Sequence, residues 1–102
     1  MQINVCGINY DVIQVTEVDN DPSCLGLCIY RESLIQIKNG LSTERKKQVL
    51  MHELLHAILY EAGYEEHNEE QVKSLSVVIN QVIAQNNIKA TLNELEQLSL
   101  GV

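Results

Sequence analysis

The change in hydrophobic periodicity near Asn39-Gly40 constrains the fold of this 102-residue chain more than any other feature. Before this dipeptide, apolar residues alternate with polar ones and turn-forming residues are frequent, a pattern typical of strands. After it, helix breakers are rare: the only proline, Pro22, lies upstream, and Gly63 interrupts an otherwise glycine-poor stretch. The pattern predicts one α+β domain, mainly β over residues 1–40 and mainly α over residues 41–102.

Four strands are predicted in the first half from β-branched and alternating segments. These segments are residues 3–5, 10–15, 25–30 and 34–38. The short connection before the last strand suits a hairpin, so we expect a small antiparallel sheet.

Three helices are predicted in the second half. The first is expected over residues 43–62, with Ser42 as its N-cap and Gly63 as its stop. Asn68 is the expected N-cap of the second helix, and a capping box at Thr91 predicts the start of a short third one.

Charge and composition exclude several classes of function. The chain has 14 acidic and 7 basic residues and a net charge of −7, so binding to a nucleic-acid backbone is not expected. No apolar run reaches the roughly 18 to 20 residues that cross a bilayer, and no signal peptide is visible, so a cytoplasmic protein is predicted. Three cysteines, an odd number, are interpreted as small, partly buried apolar residues.

The sequence His52-Glu53-Leu54-Leu55-His56 carries the chemistry of the first predicted helix. Residues four apart lie one helical turn above each other, so both imidazoles can bind the same metal ion. Glu53 is turned about 100° from His52, which places its carboxylate beside the metal as a candidate general base. The surrounding leucines make this helix largely apolar, and polar groups in such surroundings need partners.

A catalytic zinc site needs a third protein ligand and an open position for water. Helical phase favours Glu69, which lies at the edge of the buried stripe of the second helix. Glu70 points roughly the opposite way and His67 precedes the helix, but both stay open as alternatives. Glu65 and Glu66 are expected to be solvated loop residues. To reach the metal, Glu69 requires the connection after the first helix to run back along it.

These motifs resemble those of the minigluzincins, minimal zincins that include phage-associated proteins and relatives of ImmA/IrrE-type peptidases. The resemblance covers about residues 25–86 and includes the last strand, the motif helix and the Glu-x-x-Val-x-x-Leu segment after it. It implies that His52, His56 and Glu69 bind Zn²⁺ and that Glu53 is the general base. It also implies an edge strand that pairs with an extended peptide. In this chain that strand is residues 26–30, with Gly26, Cys28 and Tyr30 as candidate substrate-binding residues.

The expected function is that of a zinc-dependent metalloendopeptidase that hydrolyses peptide bonds of a protein substrate through a metal-activated water. A second electrophilic group is not identifiable, and the candidates are Tyr30, Tyr60, Tyr64 and His67. The first alternative is a catalytically silent zinc-binding protein, of phage origin, that acts as a partner-binding or regulatory module. The second is a metal-free adaptor whose amphipathic helices bind another protein.

Overall fold

All strands that the structure describes precede its three α-helices. The computed structural model describes residues 1–100 and the side chains of residues 1–98, so the last two residues of the predicted domain lie outside the described residues. The elements in chain order are β1 (Gln2–Val5), β2 (Ile8–Val15), β3 (Gly26–Ile29), a 3-10 turn (Tyr30–Glu32), β4 (Leu34–Lys38), α1 (Thr43–Glu61), α2 (Glu69–Gln85) and α3 (Ile88–Leu100). The predicted α+β class is confirmed. None of the helices that the structure describes is long and apolar enough to span a bilayer.

The four strands form one mixed sheet in the order β1-β2-β4-β3. β1 pairs with β2 and β3 pairs with β4 in antiparallel fashion, whereas β2 and β4 are parallel. The expectation of a wholly antiparallel sheet is therefore wrong for this one pair. Residues 16–25 form a long connection to the far edge of the sheet, and the hairpin that follows returns β4 parallel to β2.

The core lies between one face of the sheet and α1. Alternate residues of β2 and β4 are buried there, as the two-residue period of a strand requires. They pack with residues of α1 in a cluster that includes Tyr10, Val12, Ile35, Ile37, Val49 and Ala57. The buried Tyr10 hydroxyl donates a hydrogen bond to Glu61 Oε1 at 2.8 Å, which ties the end of α1 to the sheet. Burial, together with this carboxylate, raises the pKa of Tyr10.

Local capping fixes the ends of α1 and the start of α2. Ser42 Oγ accepts a hydrogen bond from the backbone N–H of Arg45 at 3.2 Å, and Asn68 Oδ1 accepts one from Glu70 at 2.8 Å. Gly63 has a φ of +99°, a conformation that favours glycine, and follows the end of α1. These three predicted helix signals are confirmed.

The start of α3 differs from the prediction. The helix begins at Ile88, because Asn87 Oδ1 accepts a hydrogen bond from the backbone N–H of Ala90 at 3.0 Å. Thr91 therefore lies inside the helix, where its hydroxyl donates to Asn87 O. Asparagine is a stronger N-cap than threonine, and the Asn87 cap extends the helix by a turn.

Candidate metal centre

The helical spacing of α1 brings the two motif histidines together on one face. His52 Nε2 and His56 Nε2 lie 3.3 Å apart, and the ring centroids are 5.0 Å apart. Both side chains are mostly buried, with 23% of His52 and 13% of His56 exposed. The prediction that the two imidazoles share one face of the helix is confirmed.

Glu69, the first residue of α2, completes the cluster. Its Oε1 lies 2.7 Å from His52 Nε2, and its Oε2 lies 3.0 Å from His56 Nε2. The connection between the helices turns back at once, since the backbone N–H of Tyr64 donates to Leu59 O at 2.8 Å. The side chain of Glu69 is 65% exposed, so the cluster opens to solvent on the side of α2.

The donor set fits a divalent metal ion. One ligand atom from each of the three residues lies within 4.8 Å of the others. The 3.3 Å between the two imidazole nitrogens equals the edge of a tetrahedron around Zn²⁺, about 3.3 Å for bonds of about 2.0–2.1 Å. Two imidazoles and one carboxylate also form a ligand set known from catalytic zinc sites, which leave a fourth position for water.

The electrostatics of the cluster favour the protonation states that bind metal. Burial lowers the pKa of His56, against the raising effect of Glu69, so the neutral imidazole is favoured. Partial burial works to raise the pKa of Glu69, but hydrogen bonds and charge from His52 and His56 hold it below its ordinary value. A neutral imidazole and an ionised carboxylate are the forms that ligate a metal.

Glu53 lies beside the cluster in a different environment. Its residue is only 8% exposed, and burial raises the pKa of its carboxyl to about 7, with the charge of His52 lowering it and that of Glu69 raising it. Gly26 of β3 lies directly against it: a methyl group on Gly26 would lie 3.2 Å from Glu53 Oε2 and 2.5 Å from Val49 Cγ1. A carboxyl whose pKa is near neutrality can both accept and return a proton.

A cavity of about 320 Å³ lies between the cluster and the edge of the sheet. It is lined by Gly26, Leu27, Cys28, Tyr30, His52, Glu53, His56 and Glu69. All three predicted substrate-binding residues and all four predicted catalytic or metal-binding residues are among these eight. The cavity therefore brings together side chains from β3, α1 and α2.

β3 is an edge strand, and the hydrogen-bond pattern shows which of its residues face outward. The backbone N–H of Lys38 donates to Leu25 O at 2.9 Å, and Gly26 is the Cα partner of Ile37. In an antiparallel pair, the backbone N–H and C=O groups of successive residues point alternately toward the partner strand and away from it. The backbone groups of Gly26 and Cys28 therefore point away from β4. The Gly26 carbonyl accepts a hydrogen bond from the Cys24 thiol at 3.2 Å.

Tyr30 does not continue the strand as predicted. β3 ends at Ile29, and Tyr30 begins the 3-10 turn, with its ring stacked on Tyr60 of α1 at a centroid distance of 4.2 Å. Burial raises the pKa of Tyr30 to about 12, so its hydroxyl stays protonated. Burial likewise raises the pKa of the Cys28 thiol to about 12, which makes it a poor nucleophile.

The two alternatives to Glu69 lie outside the cluster of donor atoms. His67 Nε2 contacts the opposite nitrogen of His56, Nδ1, at 2.6 Å, and Glu70 follows the Asn68 cap without joining the cluster. Sequence reasoning considered His67 as a ligand or as an electrophile but missed this contact behind the ring. Two sequence signals could have indicated the contact between His67 and His56. They are the turn at Gly63 and the N-cap at Asn68, which together fix the position of residue 67.

A second cavity that sequence reasoning missed shares Gly26, His52 and Glu53 with the first. It has a volume of about 310 Å³, and its wall includes the cationic side chains of Arg45 and Lys73. Arg45 lies in the first turns of α1 and Lys73 in α2, so only the packing of the two helices brings them to one cavity. No local sequence pattern indicates this proximity.

Comparison with known proteins identifies the family. The model of peptidase family M78, described as the IrrE N-terminal-like domain, matches residues 2–89. No curated protein and no solved structure gives a significant match to the chain. The matched residues include the whole sheet, the histidine motif of α1 and Glu69 of α2. The chain therefore belongs to the M78 family, whose members are zincin metallopeptidases of the ImmA/IrrE type.

Proposed function

We propose that the chain is a zinc-dependent metalloendopeptidase that forms a single domain and cleaves a protein substrate. The observation that carries the proposal is the convergence of donor atoms from His52, His56 and Glu69 beside the buried carboxyl of Glu53. Family membership supports the reaction class, because M78 peptidases are metallopeptidases.

In this proposal His52, His56 and Glu69 hold Zn²⁺ through Nε2, Nε2 and a carboxylate oxygen. The bound ion supplies Lewis-acid activation of water and of the scissile carbonyl. Glu53 accepts the proton of the attacking water at its carboxylate and returns it to the nitrogen of the leaving amine. The raised pKa of Glu53 suits both steps, because the group exchanges its proton near neutral pH.

The edge of β3 is the proposed binding site for the peptide backbone. Gly26 and Cys28 direct their backbone groups away from β4, so an extended peptide can add as a further strand. The close approach of Gly26 to Glu53 would place that peptide next to the general base. The protonated hydroxyl of Tyr30, which directly follows this strand, is the proposed hydrogen-bond donor to the substrate.

The experiment that tests this function compares Glu53→Gln with the wild type and with Glu44→Gln, an exposed glutamate of the same helix. Cleavage of a peptide library and zinc content by elemental analysis are measured for all three proteins. We expect Glu53→Gln to retain zinc and to lose activity by roughly 10²- to 10⁴-fold, as expected for removal of a general base. Glu44→Gln should behave as the wild type.

A catalytically silent zinc-binding protein is the second candidate, and one observation favours it. Large apolar side chains on α2 and α3 are exposed, and they include Val77, Val78, Ile83, Leu92, Leu95 and Leu98. Such a surface is typical of a partner-binding protein. Under this function the wild type and Glu53→Gln would both bind zinc and neither would cleave any peptide of the library.

A further inference from the structure

The imidazole ring of His56 has a defined neighbour at each nitrogen. Its Nε2 faces the cluster, 3.0 Å from Glu69 Oε2, and its Nδ1 lies 2.6 Å from His67 Nε2. The other nitrogen of His67, Nδ1, lies 2.8 Å from the backbone carbonyl oxygen of Tyr64. A chain of contacts therefore leads from a backbone carbonyl through two imidazoles to the metal centre.

With a metal ion in place of the contact between His56 Nε2 and Glu69, the carbonyl at the other end of this chain would determine where the protons lie. A carbonyl oxygen only accepts, so the contact with Tyr64 requires a proton on His67 Nδ1. A neutral imidazole carries one proton, which leaves His67 Nε2 as an acceptor. His56 Nδ1 would then donate to it, and His56 Nε2 would offer its lone pair to the metal ion.

We propose that His67 is a positioning residue that holds His56 in its Nδ1–H tautomer and so presents Nε2 to the metal. The inference rests on the proposed metal centre and adds a residue outside its ligand set. Metal-bound histidines generally donate their second ring N–H to a carboxylate, a backbone carbonyl or water. In this chain another imidazole is the acceptor, and a backbone carbonyl fixes its orientation in turn.

The backbone around His67 supports this role. Gly63, with its positive φ, ends α1 on one side, and Asn68 caps α2 on the other, so residue 67 lies in a short connection fixed at both ends. The two rings lie 4.8 Å apart between centroids and are inclined by 42°. By contrast, the hydrogen bonds of His52 within the described residues involve only its Nε2. Of the two motif histidines, His56 is therefore the one that contacts the imidazole of His67.

The tautomer can be measured directly in a metal-free Glu69→Ala variant, which lacks the carboxylate that competes for the His56 proton at Nε2. The chain has only three histidines, so long-range ¹H–¹⁵N correlation spectra can be assigned with single variants. Spectra at about pH 8.5, well above the ordinary pKa of histidine, report which nitrogen is protonated. We expect a protonated Nδ1 and an unprotonated Nε2 for His56. A His56 that carries its proton on Nε2 in this variant would overturn the inference.

Two variants of similar size separate hydrogen bonding from packing. His67→Leu removes the acceptor, whereas His67→Gln retains an oxygen near the position of Nε2. We expect His67→Leu to move the His56 proton toward Nε2 and to weaken zinc binding by roughly 10- to 100-fold in competition titrations. We expect His67→Gln to retain the wild-type tautomer and to recover most of the zinc affinity.

The control is Tyr64→Ala, which removes an exposed side chain of the same connection but keeps the carbonyl that His67 contacts. Its zinc affinity should stay within about twofold of the wild type. Equal zinc affinity of wild type, His67→Leu and His67→Gln would overturn the inference and leave the metal centre intact. A wild type that binds no zinc would instead refute the proposed function, while the metal-free spectra still decide the role of His67.

Discussion

The two halves of α2 differ in how far their side chains are buried, although both are rich in apolar residues. In the half that follows Glu69, Val72 and Ser76 are 1% and 3% exposed, because this half packs against α1. In the half that leads to α3, Ile83, which lies on the same face as Val72, is 55% exposed. The helix is thus anchored at the end that carries the candidate ligand and open at the other.

This difference indicates which part of α2 the candidate site requires. A ligand at the first residue of a helix is held in place only if the first turns of that helix are fixed, and Val72 and the Asn68 cap provide this. The second half of α2 adds no side chain to the metal cluster among the described residues. Two predictions test this division and one tests the environment of Glu53, in order of decreasing expected effect.

The largest effect is expected for Glu69→Gln compared with Glu70→Gln. The two glutamates are neighbours in the first turn of α2, but only Glu69 contacts His52 and His56. Loss of one of three ligands should weaken zinc binding by roughly 100- to 1,000-fold, because protein zinc sites share about 10 kcal/mol or more among a few ligands. Glu70→Gln should leave the affinity unchanged. Competition titration with a zinc chelator measures both, and similar affinities would refute Glu69 as a ligand.

The second prediction concerns the stability of the metal-free protein, measured with chelator present. The pKa of Glu53 in the folded state, about 7, is above its ordinary value of 4.5 because burial disfavours the charged form. The folded state therefore binds this proton more tightly, and the stability that results is present at low pH and is lost as the pH rises through about 7.

Glu53→Gln has no such proton to lose. We expect this variant to be more stable than the wild type by about 2 to 3 kcal/mol at pH 8 and nearly equal to it at pH 4.5. Thermal unfolding at both pH values measures the difference, with Glu44→Gln as the exposed control. A difference that does not depend on pH would mean that the Glu53 carboxyl is not the group responsible.

The smallest effects are expected for two valines of α2 that differ in burial. Val72→Ala removes buried methyl groups and leaves a cavity, so it should lower the free energy of unfolding by roughly 2 kcal/mol. Val78→Ala removes an exposed side chain and introduces a better helix former, so its effect should stay within about 0.5 kcal/mol. Urea denaturation measures both. Equal losses would show that Val78 is also packed in solution.

The sequence predicted well the features that depend on neighbours along the chain. Helical spacing placed His52 and His56 on one face, and the phase of α2 favoured Glu69 over Glu70 before any contact was known. The N-caps at Ser42 and Asn68 were also identified, since each depends on a hydrogen bond within three residues.

Features that depend on packing between distant segments were missed. The parallel pairing of β2 with β4 follows from where a long connection crosses the sheet, which strand periodicity does not encode. The contact of His67 with His56 depends on the path of the backbone between two helices. The start of α3 was placed too late because two capping residues competed, and local rules alone did not rank Asn87 above Thr91.

Because residue 26 is a glycine next to Glu53, the proposed substrate binding at β3 and the proposed proton transfer by Glu53 depend on the same position. Because a Cβ there would lie 2.5 Å from Val49 Cγ1 and 3.2 Å from Glu53 Oε2, any larger residue would push the strand outward or displace these side chains. Under the proposed function, a change of substrate preference by mutation at this position would also change the rate of proton transfer. Engineering of specificity should therefore leave residue 26 as glycine and vary the opposite wall, at Arg45 and Lys73.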